Sequence, residues 1–505
     1  MKKSVFYILC LSLLLAGCLK DESNYNFSQP EVITVSGLEP SITAVSGMDN
    51  LRIDPVASSN KEGELEYMWG IYETNVQGYA PVLDTLASTK ELNYNVQLPA
   101  KGWVLVLRVT NTQTGYAQFF TSSLNVVTPY TRGWYVAKDD GSNTDLDLFL
   151  TPETIVPDSK VENVFSTVNG HKIPGKAMLL NYYNDYKSDV LVAGTFVNTK
   201  SMFIIADKGM SVVDINSLDQ IHDLDGIFYQ APSVKQPDFV SAASAALYFS
   251  NNGQLTSIYS MSANTGQFGT EKIMDDEATP YRLSKYHIGS GLADGPVLFD
   301  ELSGSFVTAT GSGTTMTSYK NSSSTTMEAQ NTNKTCLYMG TRSNYPLEGI
   351  AVLRDKTNPT LLIVSSVATN GSNFTAINDT VSASAVMQTA TRFAVNTEEN
   401  IVYFVVGNQV WSHNMANDFE KMQWEAPSGE DITFLRHRAY KETGYAYNYI
   451  MIGTKQAGNY KVRMFTKSSG NLATTPEVTL EGTGEVGDVL YVSPSTGSNT
   501  YLNNY

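Results

Sequence analysis

Cysteine is nearly missing from this 505-residue chain, which holds only Cys10, Cys18 and Cys336. A disulfide framework of the kind that staples small secreted domains is therefore excluded. Cys336 reads as a small buried hydrophobe. Positive charge is also short: 34 Lys and Arg stand against 50 Asp and Glu, for a net charge of -16. So acidic a chain argues against nucleic-acid binding, which wants a basic face. The 5 histidines, His171, His222, His287, His413 and His437, sit at no metal-ligand spacing. H-E-x-x-H, C-x-x-C and G-x-S-x-G are all absent. Long apolar runs are lacking too. The run from Val5 to Leu15 is 11 residues, short of the roughly 20 that a membrane helix needs. With Lys2 and Lys3 before it, that run reads as the core of a signal peptide spanning residues 1–17.

The residues just after this run are more specific. Ala16-Gly17 offers small residues to a peptidase, and Cys18 stands next. Leu15-Ala16-Gly17-Cys18 resembles the lipobox of bacterial lipoproteins. The resemblance implies a diacylated Cys18, since one acyl chain alone anchors only marginally. Lys20, Asp21 and Glu22 resemble the surface-export signal of lipoproteins in Bacteroidetes, which implies a lipid-anchored protein of the outer membrane at the cell surface. Residues 18–30 then form a polar tether.

From residue 31 to 128 the chain alternates as half-buried strands do. Leu65, Tyr67, Trp69 and Ile71 share one face of a strand. Further on, Leu105, Leu107 and Val109 oppose Val104, Val106 and Arg108. About 100 residues of short strands around a buried Trp predict an immunoglobulin-like sandwich. Residues 129–505 instead repeat strand, tight polar turn, strand, at an average spacing of about 51 residues. That period predicts a β-propeller of seven blades, with eight as the alternative and a pair of stacked sandwiches as the rival topology. A ring needs closure, and pairing of residues 488–494 with 133–139 would supply it. Pro129 marks the domain boundary.

Two segments carry a family resemblance. "YMWGIY" (67–72) and "LVLRVTNTQTG" (105–115) resemble the Y-x-W and V-T-N-x-x-G strands of PKD-type domains. Taken with the lipobox and "RGWYVAKDDGSNTDLDLF" (132–149), they resemble the PKD-like surface lipoproteins of Bacteroidetes. The resemblance implies as partners a SusC-like transporter and a SusD-like lipoprotein. The Gly-Asp-Gly common after the tryptophan of PKD domains is replaced by "GIYETN" (70–75), so no acidic loop site is carried over.

The search for chemistry yields few candidates. Asp139, Asp140, Asp145 and Asp147 form an acidic turn that could hold calcium, but not in EF-hand order. Asp140-Gly141 is a hairpin signal that explains it as well. Asp275, Asp276 and Glu277 read as a solvated loop. Tyr182, Tyr183 and Tyr186 lie among Asn and Asp in a loop-like context and form a candidate binding surface, with packing between blades as the alternative. Residues 436–449 are a second tyrosine-rich stretch, and the Ser/Thr-rich segment 308–335 reads as a flexible loop. No catalytic residue, cofactor or metal site is assigned. The expectation is a non-catalytic accessory of a SusC/SusD-like uptake complex for oligopeptide or glycan. Peptide is preferred because four of the five Trp fall in or beside apolar strands. A secreted propeller hydrolase acting on glycan and a structural or adhesive surface protein are the alternatives.

Overall fold

A computed structural model describes residues 29–74, 82–192, 195–243, 246–259, 266–290, 295–502 and 505. Residues 1–28, and with them the expected signal peptide, Cys18, Lys20, Asp21 and Glu22, lie outside the described residues. The chain divides into two compact units, Met1–Val127 and Thr128–Tyr505.

The first unit is a β-sandwich. Its larger sheet has five strands, with Leu65–Glu73, Gly102–Asn111 and Ala117–Val127 at its centre and Ser41–Val45 paired in parallel along Ala117–Val127. Two two-stranded ribbons, Ile33–Ser36 with Val56–Ser59 and Asn50–Ile53 with Leu92–Asn95, complete it. The alternation read in the sequence decides which residues go inside. Trp69, Ile71, Leu105, Leu107 and Val109 are all buried in one core with Leu92 and Leu124. Trp69 keeps its polar edge satisfied by donating to the Lys90 carbonyl at 3.2 Å.

The second unit is a β-propeller. Among the described residues, seven sheets follow one another, and each serves as a blade. Blade 2 begins with Ala177–Val192, blade 3 with Pro237–Ala243, blade 5 with Lys334–Asn344, blade 6 with Arg392–Val395 and blade 7 with Asp431–Tyr440. In blade 4 the innermost segment is residues 283–288, held to the next strand by bridges at Leu283 and Ile288. Blade 1 is built from both ends of the unit. Gly133–Asp139 pairs with Asn143–Leu150 on one side and with Glu485–Val492 on the other. The ring is therefore closed by the pairing expected from the sequence, with Trp134 opposite Tyr491 and Val136 opposite Val489. These first strands, together with Glu485–Val492, are neighbours around the axis. Gly487 permits a close approach there, because a Cβ on it would collide with the Ala177 carbonyl.

Blades are apolar on both faces because each is covered on both sides. In Ile401–Val406, Val402 and Phe404 pack into one inter-blade core while Tyr403 and Val405 pack into the next. That is why so many strands read as continuous apolar runs. The Ser/Thr-rich segment corrects the flexible-loop expectation. It supplies Met316–Ser318 to blade 4 and Lys320–Asn321 to blade 5. Its hydroxyls are used as well: Thr326 Oγ1 donates to the Ala376 carbonyl at 2.9 Å, and the Ala376 amide donates to Thr325 Oγ1 at 3.0 Å. Composition was polar because the hydrogen bonds are made by side chains.

Candidate functional site

The inner strands start at one end of the propeller axis, and there they wall a cavity of about 320 Å³. Six of the seven blades contribute to it: Glu485 to Gly487, Ala177 and Met178, Lys285 and Tyr286, Tyr338, Thr391 to Phe393, and Thr433 to Arg436. Tyr505 forms its floor. The Tyr505 ring lies 5.6 Å from that of Tyr286, and its main-chain oxygen accepts from the Tyr338 hydroxyl at 3.0 Å. Its own hydroxyl donates to the Asp238 carbonyl.

Charge sets this cavity apart. In a chain of net charge -16, it gathers Lys285, Arg392 and Arg436. The Lys285 ammonium sits 4.8 Å from the Tyr505 ring centre and 5.2 Å from that of Tyr286. Arg392 donates Nε to the Thr433 carbonyl at 2.8 Å. Arg436 lies 3.7 Å from Asp488. The nearby carboxylates are committed elsewhere. Glu485 pairs with Lys455 at 2.7 Å, Asp238 accepts from Ser250 Oγ and the Gly253 amide, and Asp488 is bound closely by Arg438. Lys285 is held below the usual lysine range, first by burial and then by repulsion from Arg436 and Arg392, which outweigh the attraction of Asp238. Arg436 is also lowered, chiefly by its own burial. Three cations, of which Lys285 and Arg436 face phenol rings, with few carboxylates to balance them, make an anion-attracting recess.

Tyr182, Tyr183 and Tyr186 lie in Ala177–Val192, the inner strand of blade 2, and their exposures are 3%, 9% and 1%. This corrects the loop expectation. Tyr182 packs into the core between blades 1 and 2, while Tyr183 and Tyr186 turn to the core shared with blade 3. A bulge between Tyr183 and Tyr186 sets Asn184 and Asp185 out of register, which is why the segment looked loop-like. Tyr183 also borders a cavity of about 460 Å³ with Asn184, Asp185, Ala243, Ser495 and Thr500. Burial pushes its hydroxyl up to about 12. The second tyrosine stretch is packing too: Tyr447 and Tyr449 lie against Trp134, and Tyr440 stacks on Tyr447 in the same core.

The four aspartates do not converge on a cation, which corrects the calcium candidate. Asp139 accepts the amides of Gly141 and Ala177, whereas Asp140 accepts those of Ser142 and Asn143 and pairs with Lys172. Asp145 holds Ser166, and Asp147 holds Lys138 at 2.7 Å and the Tyr460 hydroxyl at 2.7 Å. They act as turn and cross-strand anchors. Elsewhere Asp379, His413 and Asp418 bring ligand-type atoms within 4.8 Å of one another, between the outer strands of blades 5 and 6. Cys336 is buried, and burial pushes its thiol up to about 12, which leaves it inert as a nucleophile.

Sequence reasoning passed over Lys285, Arg392 and Arg436. One signal was there: "FLRHRAY" (434–440) sets two arginines at alternate positions inside an apolar strand of an acidic chain.

A model of the PKD-like family matches residues 18–177, covering the sandwich and running through the first blade. None of the curated proteins matches this chain. Among solved structures, a quinonprotein alcohol dehydrogenase-like protein from Bacteroides thetaiotaomicron is similar at TM-score 0.38 and 12% identity, over 90% of this chain and 96% of that one. AztD from Citrobacter koseri is similar at TM-score 0.39 and 11% identity, over 70% and 100% of the two chains. A hypothetical selenium-binding protein from Sulfolobus tokodaii is similar at TM-score 0.40 and 9% identity, over 73% and 95%. Likeness this distant carries nothing about activity.

Proposed function

We propose that the protein is a lipid-anchored surface protein of the outer membrane, acting as a non-catalytic binding or accessory subunit of a SusC/SusD-like uptake complex for oligopeptide or glycan. The observation that carries the binding role is the axial cavity. Side chains from six blades converge there, and its cations and phenols are groups that hold a ligand. The anchoring role is supported by Leu15-Ala16-Gly17-Cys18 behind the apolar run, and the partner assignment by the PKD-like family match. Within this reading the sandwich is a spacer and the propeller is the working face.

Two measurements test it. Cys18→Ala should abolish the acyl mass and leave unprocessed or soluble protein, while replacing Lys20, Asp21 and Glu22 by Ala should reduce surface display without loss of the lipid. Purification from detergent-solubilised outer membrane should bring down a SusC-like and SusD-like pair. A lone protein with hydrolytic activity would overturn the accessory role, and retained acylation in Cys18→Ala would overturn the anchor.

A further inference from the structure

We infer that the axial cavity is a recognition site for the free carboxylate end of a short peptide, with Lys285, Arg392 and Arg436 as its anion-binding groups. The inference deepens the binding role proposed above and rests on it. Three observations meet at this place. First, the cations come from three separate inner segments: residues 283–288, Arg392–Val395 and Asp431–Tyr440. The fold therefore assembles them at the axis, where no stretch of sequence could. Second, among the described residues no carboxylate pairs with Lys285 or Arg392. The contacts of Lys285 are the rings of Tyr286 and Tyr505, and Arg392 spends one N–H on the Thr433 carbonyl. Holding like charges together in a half-buried recess is unfavourable, and an incoming carboxylate relieves it. A guanidinium offers paired N–H groups that match the two oxygens of a carboxylate.

Third, the cavity already accommodates peptide. Tyr505 rests in it with its main-chain oxygen on the Tyr338 hydroxyl at 3.0 Å and its ring beneath Lys285 and Arg436, at 4.8 and 5.8 Å. A main-chain oxygen on a phenol and an aromatic side chain under cations are contacts that a peptide end makes. Among the described lining residues there is no tryptophan, and the rings of Tyr286 and Tyr338 are tilted 56° against each other at 5.4 Å, so the two do not form one flat platform for stacking a sugar. A volume of about 320 Å³ suits one or two terminal residues, not an extended chain.

The test is calorimetric titration of the whole chain at low salt with three probes: the tripeptide Ala-Ala-Tyr with a free carboxyl, the same tripeptide as its C-terminal amide, and digalacturonate. The free acid should bind, the amide should bind at least about tenfold more weakly, and added salt should weaken the acid alone. Lys285→Gln and Arg392→Gln should each cost about tenfold in affinity while keeping a cooperative thermal transition, and Arg392→Lys should recover part of the loss. Equal binding of acid and amide would overturn the inference, as would binding of digalacturonate alone or no binding of either peptide. Co-purification with a SusC-like and SusD-like pair is a separate readout. A recovered pair with silent titrations would remove the peptide site and spare the accessory role, whereas tight peptide binding without the pair would do the reverse.

Discussion

Arg438 donates one terminal nitrogen to both carboxylate oxygens of Asp488, at 3.1 and 2.9 Å, and both side chains are buried. Arg438 belongs to the inner strand of blade 7 and Asp488 to the closing strand of blade 1. The same carboxylate accepts the Leu180 amide of blade 2 at 2.8 Å. One acidic group thus joins three consecutive blades across the point where the ring closes. Removing one partner of such a pair strands a buried charge, which costs about 3–5 kcal/mol. Arg438→Ala should lower propeller stability by about that amount in denaturant unfolding. The double variant Arg438→Met with Asp488→Leu should recover a large part of it. A single variant that unfolds at the wild-type midpoint would show that Arg436, 3.7 Å from Asp488, suffices alone.

Ring closure can be tested by deletion. A chain ending at Gly484 lacks the strand Glu485–Val492, which exposes the edge of Gly133–Asp139 and empties the buried places of Val489, Leu490 and Tyr491. Exposed edges are aggregation templates. That chain should lose its cooperative propeller transition and associate on size-exclusion chromatography. Unchanged melting and a monomeric peak would count against closure by this strand.

The buried tyrosines make a stability prediction where an exposed cluster would have made a binding one. Truncating a buried aromatic costs about 3–5 kcal/mol. Tyr182→Ala and Tyr186→Ala should each destabilise by about that amount, and the triple variant with Tyr183→Ala should fail to fold at 37 °C. Tyr186→Phe isolates the hydroxyl that donates to the Gly266 carbonyl, and should cost about 1 kcal/mol. Wild-type melting of the triple variant would return these residues to the surface.

Stability should fall with acid in a defined window. Burial holds the imidazoles of His287 and His437 down at about 4, against an ordinary value of 6.5. Below pH 6.5 the unfolded chain binds protons that the folded chain refuses. The stability these two groups contribute is therefore complete above 6.5 and is lost as pH falls toward 4. A shift of that size is worth about 3 kcal/mol per histidine. His287 stacks on Phe239 at a centroid distance of 4.2 Å, and His437 Nε2 donates to Asn448 Oδ1 at 2.8 Å. Denaturant midpoints at pH 7.5 and 4.5 should diverge in the wild type and converge in His287→Phe with His437→Gln. An undiminished divergence in that double variant would assign the acid sensitivity to other groups.

Alternation of apolar and polar residues was enough to show the sandwich, its inward Trp69 and the face of Leu105, Leu107 and Val109, because burial on one side of a sheet leaves a period of two. The hairpin spacing and the matching apolar runs near residues 133 and 488 were enough to show the propeller and its seam, since a closed ring needs two edge strands that pair. Tertiary structure decided the rest. The bulge after Tyr183 let Asn184 and Asp185 mask a buried strand, and the cores that receive Tyr182 and Tyr186 come from other blades. Hydroxyls that suggested a loop at 308–335 turned out to be bonded to blade 5. The axial cavity was beyond local reading altogether. Lys285, Arg392 and Arg436 stand far apart in sequence, and a site made by convergence of blades leaves no spacing along the chain, only the oddity of cations set into apolar strands.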